Sequence, residues 1–275
     1  MMAEKVKNYI RKIRYLRHPY LIYRAILRPF EQRESKKNRS RISEYERNYE
    51  SFEKGVEILT NVTEPNVVTL KKELDDSIFL RHIDSCIKQL KGTGGPISFE
   101  SGLLLYVLIR RLDPKIVVET GVANGISSAF ILKALNANAN GGLYSIDLHY
   151  REGVIVPLGK SLGWVIPEEL RPRWTLMLGE STRILPKMLD GLQSIDIFIH
   201  DSRHTYKNMI NEYNIVWPYL KDGGILLSDD VIDNNAFLEF ADKVKLPLVV
   251  IDRLGAIRKD LKDSLKTFKD SINIV

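Results

Sequence analysis

One stretch, KIVVETGVANGISS at residues 115–128, constrains the fold of this chain more than any other. It begins with a β-branched run at 116–118, of the kind that lies buried in a parallel sheet. Glu119 follows, then glycines at Gly121 and Gly125, after which apolar residues recur at helical spacing. Strand, carboxylate, glycine turn and helix together predict a nucleotide-type loop, because glycines admit a ligand and a helix N-terminus offers free N–H groups.

The spacing of the two glycines narrows the ligand that this loop would bind. A dinucleotide fingerprint reads G-x-G-x-x-G, and a phosphate-binding P-loop continues with Gly-Lys-Ser/Thr. The chain has neither pattern here, and a carboxylate at Glu119 would repel pyrophosphate while attracting a cation. The alternative without a ligand is a tight strand-to-helix turn in an α/β protein.

Composition favours a globular protein of a reducing compartment. The chain has 275 residues, of which 44% are hydrophobic and 28% charged, and one cysteine, Cys86. A single cysteine excludes an intramolecular disulfide and a multi-cysteine zinc site. We find no apolar run long enough to span a bilayer and no signal-peptide pattern, so the expected location is the cytoplasm.

The positive charge is concentrated in an N-terminal tail. Residues 1–41 hold 13 Lys and Arg against 3 acidic residues, so the rest of the chain carries a net charge of −4 within the total of +6. An enzyme that modifies nucleic acid would carry its basic surface around the active site. We therefore interpret residues 1–45 as a basic amphipathic helical extension. Three surfaces remain open as its contact: an anionic membrane, a partner subunit or the body of its own chain.

The remainder divides into a helical segment, residues 46–94, expected to pack on the core, and a domain at 95–275. In this domain strands and helices alternate, which predicts a parallel sheet with helices on both faces. The predicted strands are 115–120, 142–148, 174–178, 195–200, 225–227, 247–252 and 256–259. A helix is expected to stop at Asp222-Gly223-Gly224, and the long connection 149–172 is typical of a lid or substrate-binding segment.

Acidic residues stand at the ends of several predicted strands, where an open α/β sheet binds its ligands. Asp147, at the end of the second strand, is placed to bind the hydroxyls of a ribose. Asp201, Asp229 and Asp230 follow the fourth and fifth strands and offer the oxygen ligands that Mg²⁺ prefers. His204 is then a candidate general base. The alternatives are helix caps and a solvated turn.

Several segments of the chain resemble a known family. The segments VVETGVANGISS, YSIDL, DIFIHDSRHTYKNMINEY and WPYLKDGGILLSDD are similar to class I S-adenosylmethionine (SAM) dependent methyltransferases. The group includes macrolide-sugar O-methyltransferases and cephalosporin-hydroxylase-like proteins. The resemblance covers about residues 95–260. It implies a Rossmann-like, seven-stranded, mostly parallel sheet whose last strand is antiparallel.

The resemblance also implies SAM as methyl donor and, in metal-dependent members, a divalent cation beside it. The function it implies is O-methylation of a small molecule or sugar, with Asp201 and His204 at the reacting groups and a cation on Asp201, Asp229 and Asp230. The implied SAM-binding residues are Glu119, Gly121, Ala123, Gly125, Ser128, Asp147, Leu148, Gly179, Glu180, Ser181 and Asp201.

Two other functions remain as alternatives at this stage. One is an NAD-type oxidoreductase, which the missing G-x-G-x-x-G disfavours. The other is a SAM-binding protein without activity. The sequence leaves open the acceptor, the requirement for metal, the formation of a homo-oligomer and a peripheral membrane contact through residues 1–45.

Overall fold

The predicted sheet is present and has seven strands in the order 3-2-1-4-5-7-6. A computed structural model describes residues 50–61, 64–75, 77–90, 97–148 and 155–259. The predicted N-terminal extension therefore lies outside the described residues, as do the first part of the 149–172 connection and the charged C-terminal segment. The strands are β1 Ile116–Thr120, β2 Gly142–Asp147, β3 Trp174–Leu178, β4 Ile195–His200, β5 Leu220–Ser228, β6 Val249–Ile251 and β7 Leu254–Arg258.

The pairing of the strands confirms the predicted fold class. Strands β3, β2, β1, β4 and β5 pair in parallel. The last strand, β7, is antiparallel to both β5 and β6. The chain therefore has the seven-stranded, mostly parallel sheet of the class I methyltransferase fold.

The central strands are hydrophobic on both faces because each face is covered by helices. Val117 lies in one apolar cluster and its neighbour Val118 in the other, and Ile197 and Phe198 of β4 divide in the same way. Since successive strand residues point to opposite faces, one unbroken apolar run serves two cores.

Eight α-helices lie in the described part of the chain. They are α1 Phe52–Thr60, α2 Glu64–Leu74, α3 Ser77–Ile87, α4 Phe99–Leu112, α5 Ile126–Ala137, α6 Ser181–Leu192, α7 Tyr206–Val216 and α8 Ala236–Val244. Apolar side chains of α1 to α5 form the first cluster, and those of α6 to α8 form the second. None of these helices combines the length and apolar character needed to cross a membrane.

The structure corrects one predicted boundary. Asp222, Gly223 and Gly224 were expected to end a helix, but they lie inside β5, which begins at Leu220. The helix ends earlier, at Val216, and a short 3₁₀ turn at Trp217–Tyr219 leads into the strand. The register between β4 and β5 shifts between Ile195 and Ile197, so the glycines occupy an irregular part of the pairing.

The loops that follow β1 and β4 approach each other at Gly121. Its φ is +89°, and a Cβ built there would lie 2.1 Å from the backbone oxygen of Asp201. Gly121 N–H also donates to the carbonyl of Ile146 at 2.8 Å. A side chain at this position would force apart two backbones rather than displace a flexible group.

We expect Gly121→Ala to lower the free energy of unfolding by about 3 kcal/mol or more, because positive φ and backbone overlap add. Gly159→Ala is the matched control: its φ is +76°, but no described atom lies within 4 Å of an added Cβ. That variant should cost only about 1 kcal/mol. Denaturant unfolding measures both, and equal costs would contradict the proposed close approach.

Candidate active site

A cavity opens at the carboxyl ends of the central strands, beside the point where the strand order reverses between β1 and β4. Its lining combines one glycine of the β1 loop with the ends of β2, β3 and β4. The lining residues are Gly121, Ile146, Asp147, Leu148, Gly179, Glu180, Ser181, Thr182, Ser202, Arg203 and Asn208. Six of the predicted SAM-binding residues lie here: Gly121, Asp147, Leu148, Gly179, Glu180 and Ser181.

Asp147 holds the glycine loop in place and also lines the cavity. Its Oδ2 accepts hydrogen bonds from the backbone N–H groups of Val122 and Ala123, both at 2.7 Å. Its Oδ1 accepts from Leu148 N–H at 2.5 Å. Because an ionised carboxylate has about four acceptor sites, it can bind these groups and still accept from a ligand hydroxyl.

Residues 155–172, the described part of the predicted connection, form hydrogen bonds with the glycine loop that follows β1. Gly163 N–H donates to the carbonyl of Ala123 at 3.0 Å, and Trp164 Nε1 donates to Asn124 Oδ1 at 2.8 Å. A Cβ on Gly125 would lie 2.7 Å from Gly163 Cα. Gly125 is therefore needed for packing against this segment and is buried away from the cavity.

Glu119 does not take the position predicted from the motif. It is fully buried, and its carboxylate accepts hydrogen bonds from three hydroxyl groups. These belong to Ser127 at 2.6 Å, Ser128 at 2.6 Å and Ser145 at 2.9 Å. Burial raises the pKa of Glu119 to about 7, despite these hydrogen bonds. The residue thus ties β1 and β2 to the start of α5 and does not line the cavity.

Three other predicted SAM-binding residues also lie outside the cavity lining. Ser128 is buried, with its hydroxyl on Glu119. Ala123 is half-buried at a φ of +47°, and Asp201 is half-buried, and neither contributes to the lining. Spacing alone identified the loop, but it did not separate the residues that face the cavity from those that support it.

Asp201, His204 and Asp229 come together beside this cavity. Each offers one ligand atom, and these three atoms lie within 4.8 Å of one another. His204 Nε2 is 3.6 Å from Asp201 Oδ1, and both side chains are about one fifth exposed. Asp229 is positioned by its N–H, which donates to the carbonyl of His200 at 2.9 Å.

The electrostatics of this group fit a divalent cation. Burial and the neighbouring Asp229 raise the pKa of Asp201 well above its usual range. Burial and Asp230 likewise raise the pKa of Asp229, to about 7. Two crowded carboxylates and an imidazole are a donor set that Mg²⁺ or Mn²⁺ accepts, since a bound cation removes the repulsion.

Asp230, the third predicted metal ligand, is engaged elsewhere. Its Oδ1 accepts from Arg253 Nε at 2.6 Å, and a second guanidinium nitrogen of Arg253 also contacts this oxygen. Its backbone is left-handed, with a φ of +53°. The adjacent positions 229 and 230 therefore direct their carboxylates to different partners, which a sequence of two aspartates does not reveal.

A buried carboxylate that we did not predict, Glu212, lies behind the cavity. It is fully buried and accepts hydrogen bonds from five groups. They are Thr120 Oγ1 at 2.6 Å, His200 Nδ1 at 2.6 Å, Ser202 Oγ at 2.9 Å, Asn208 Nδ2 at 2.9 Å and Ser181 Oγ. His200 is fully buried in this network.

Helical spacing contains the signal that would have identified Glu212. In α7 the buried positions are Met209, Glu212, Tyr213 and Val216, which recur at intervals of three and four residues. A glutamate on the buried stripe of a helix is costly unless it is paired and hydrogen-bonded. Its presence there indicates a polar network inside the domain.

Comparison with known proteins gives the class. Residues 118–231 match a family model described as a methyltransferase domain. None of the curated proteins compared with the chain matches its sequence.

Among solved structures, the SAH-bound methyltransferase PaMTH1 of Podospora anserina has a TM-score of 0.51 at 14% identity, covering 66% of this chain and 87% of that chain. The O-methyltransferase TomG of Streptomyces achromogenes, in complex with SAM, has a TM-score of 0.51 at 16% identity, covering 65% and 89%.

The structural neighbours agree with the class I fold, and the family match assigns residues 118–231 to a methyltransferase domain. The methyltransferase domain predicted from the sequence is thereby confirmed over residues 118–231. The family match does not support the alternative of an NAD-type oxidoreductase.

Proposed function

We propose that this protein transfers a methyl group from SAM to the hydroxyl oxygen of a small molecule or sugar, assisted by a divalent cation. One observation carries the proposal. The cavity built from strand-end residues, including Asp147 and Ser181, lies directly beside the Asp201–His204–Asp229 group. A donor site next to a cation site is the arrangement that such a reaction needs.

On the donor side, each cavity-lining element has a distinct task. The Asp147 carboxylate would accept hydrogen bonds from the ribose hydroxyls, while its bonds to Val122 and Ala123 keep the loop in one conformation. Gly179, Glu180 and Ser181 would surround the adenine. The loop at Gly121 would hold the methionine portion, because no side chain obstructs the backbone there.

On the acceptor side, the chain would position and deprotonate a hydroxyl. When bound, SAM supplies a methyl group activated by its sulfonium charge, and the cation supplies a Lewis acid that lowers the pKa of the acceptor hydroxyl. Asp201 and Asp229 would hold the cation. His204 would accept the proton at an imidazole nitrogen, and alignment of the two reactants would account for the remaining rate enhancement.

His204 also has a second candidate role, because its imidazole lies among the three groups that converge on one point. A nitrogen that ligates a cation has no lone pair left for a proton. A ligand and a base are therefore distinguishable by the cation affinity of a His204 variant, without knowledge of the acceptor.

The donor assignment predicts micromolar binding of SAM by calorimetry. Asp147→Ala should weaken it about tenfold or more, because charge-assisted hydrogen bonds to the ribose are lost. Binding to the parent and to the variant with equal affinity would contradict the role of Asp147. A parent protein that does not bind SAM would contradict the proposed function as a whole.

Asp196→Ala is the matched control for this titration. Asp196 also accepts from two backbone N–H groups, those of Lys115 and Ile116. It lies at the start of β4, however, at the end of the strands opposite to the cavity. Its loss disturbs the domain by a similar mechanism and should change the affinity for SAM by no more than about twofold.

The cation assignment predicts that, through the proton on Asp229, the affinity for Mn²⁺ rises about tenfold from pH 5 to 6 and about fivefold from pH 6 to 7. The pKa of Asp229 is raised to about 7, so below that pH a proton must leave before the cation binds. The gain should level off above pH 7 as the carboxylate becomes ionised. Titration calorimetry in two buffers of different ionisation enthalpy measures both the affinity and the released proton.

Three variants decide which residues hold the cation. Asp229→Asn should lower the Mn²⁺ affinity by more than about tenfold, whereas Asp230→Asn should change it by less than about threefold, because Asp230 is occupied by Arg253. Equal losses in both would restore the ligand set predicted from sequence. His204→Gln should leave the affinity unchanged if His204 is the base, and a tenfold loss would instead make it a ligand.

A further inference from the structure

The Glu212 carboxylate separates its contacts between the cavity and the interior. Its Oε2 accepts from Thr120 and His200, both fully buried. Its Oε1 accepts from three groups that line the cavity, namely Ser181, Ser202 and Asn208. We refer to Ser181, Ser202 and Asn208 as the acceptor wall. One buried charge therefore contacts every member of this wall.

Glu212 fixes the direction in which the wall's hydroxyl groups point their protons. Burial alone would raise the pKa of Glu212, but the neighbouring His200 and the hydrogen bonds it receives lower this pKa to about 2. An ionised carboxylate only accepts hydrogen bonds, so Ser181 and Ser202 must donate to it. What these hydroxyls present to a ligand is then lone pairs.

The side-chain amide of Asn208 also uses its protons in hydrogen bonds to protein groups. Its NH₂ group contacts Glu212 Oε1 at 2.9 Å, Ser202 Oγ at 3.1 Å and the carbonyl of Arg203 at 3.2 Å. Its protons are thus directed at protein acceptors. The remaining polar side chains of the cavity, among them the exposed Arg203, do not contact Glu212 in the described structure.

We propose that Glu212 is a positioning residue that makes the acceptor wall select the 6-amino group of the adenine in SAM. The inference rests on the proposed function, because it requires SAM in this cavity. The 6-amino group is the only hydrogen-bond donor on the base of an adenine nucleoside. Hypoxanthine has an oxygen at that position, and this oxygen would face lone pairs with no proton between them, which is unfavourable.

Two product analogues test this selectivity. S-adenosylhomocysteine and S-inosylhomocysteine share ribose and amino acid; in the second, an oxygen replaces the 6-amino group and N1 carries a proton. We expect the parent to bind the adenine compound about tenfold or more tightly, as measured by calorimetry. Glu212→Gln should bring this ratio close to one, because a neutral amide can donate to the serine hydroxyls and let their protons turn toward the cavity.

Ser181→Ala and Ser202→Ala provide the second test, since both keep the buried carboxylate and remove one wall acceptor each. Each variant should lower the ratio of the affinity for S-adenosylhomocysteine to that for S-inosylhomocysteine. Ser127→Ala is the matched control, because its hydroxyl donates to the other buried carboxylate, Glu119, and does not line the cavity. That variant should leave the ratio unchanged even where both affinities shift.

Two results would overturn the inference. One is a parent that binds both analogues equally, and the other is a set of wall variants that weaken both analogues by the same factor, which would place another part of the ligand at the wall. A parent that binds neither analogue would remove the proposed function, and this inference with it. The three outcomes are distinguishable in one set of titrations.

Discussion

The whole site depends on the contact between two loops that leave adjacent parallel strands. At Gly121 the backbone after β1 meets the backbone after β4 so closely that an added Cβ would lie 2.1 Å from the oxygen of Asp201. Asp147 fixes the first loop from the end of β2. The carboxyl ends of β1, β2 and β4 are thereby held as one surface. The cavity and the Asp201–His204–Asp229 group are therefore set relative to each other by backbone rather than by flexible side chains.

Around this contact the chain buries carboxylates of two kinds. Glu119 receives three serine hydroxyls, and burial raises its pKa to about 7, whereas Glu212 is hydrogen-bonded to His200 and has a pKa lowered to about 2. The first serves to join strands to a helix, and the second orients polar groups of the cavity. A hydrogen-bonded imidazole partner distinguishes Glu212 from Glu119. Asp201 and Asp229 lie close together and repel each other, so a divalent ion would relieve this repulsion.

Sequence reasoning identified the sheet, the glycine loop and most of the cavity because those features follow from local patterns. β-branched runs, glycine spacing and strand-end acids each reflect a nearby physical requirement. The differences have a common origin in contacts that are distant along the chain. Asp230 is paired with Arg253, 23 residues away. Gly223 lies in a strand because pairing with distant residues overrides the turn preference of glycine. Glu212 was missed although its position on the buried stripe of α7 was readable.

The most direct measurement is the effect of bound Mn²⁺ on the ¹³C-methyl signal of labelled SAM in the complex. If the donor and the cation occupy neighbouring sites at this sheet edge, the paramagnetic ion will broaden the methyl resonance strongly. Asp229→Asn protein at the same Mn²⁺ concentration should show little broadening. A sharp methyl signal in the parent, with SAM and Mn²⁺ both bound, would contradict the shared site and leave the cation without a role in methyl transfer.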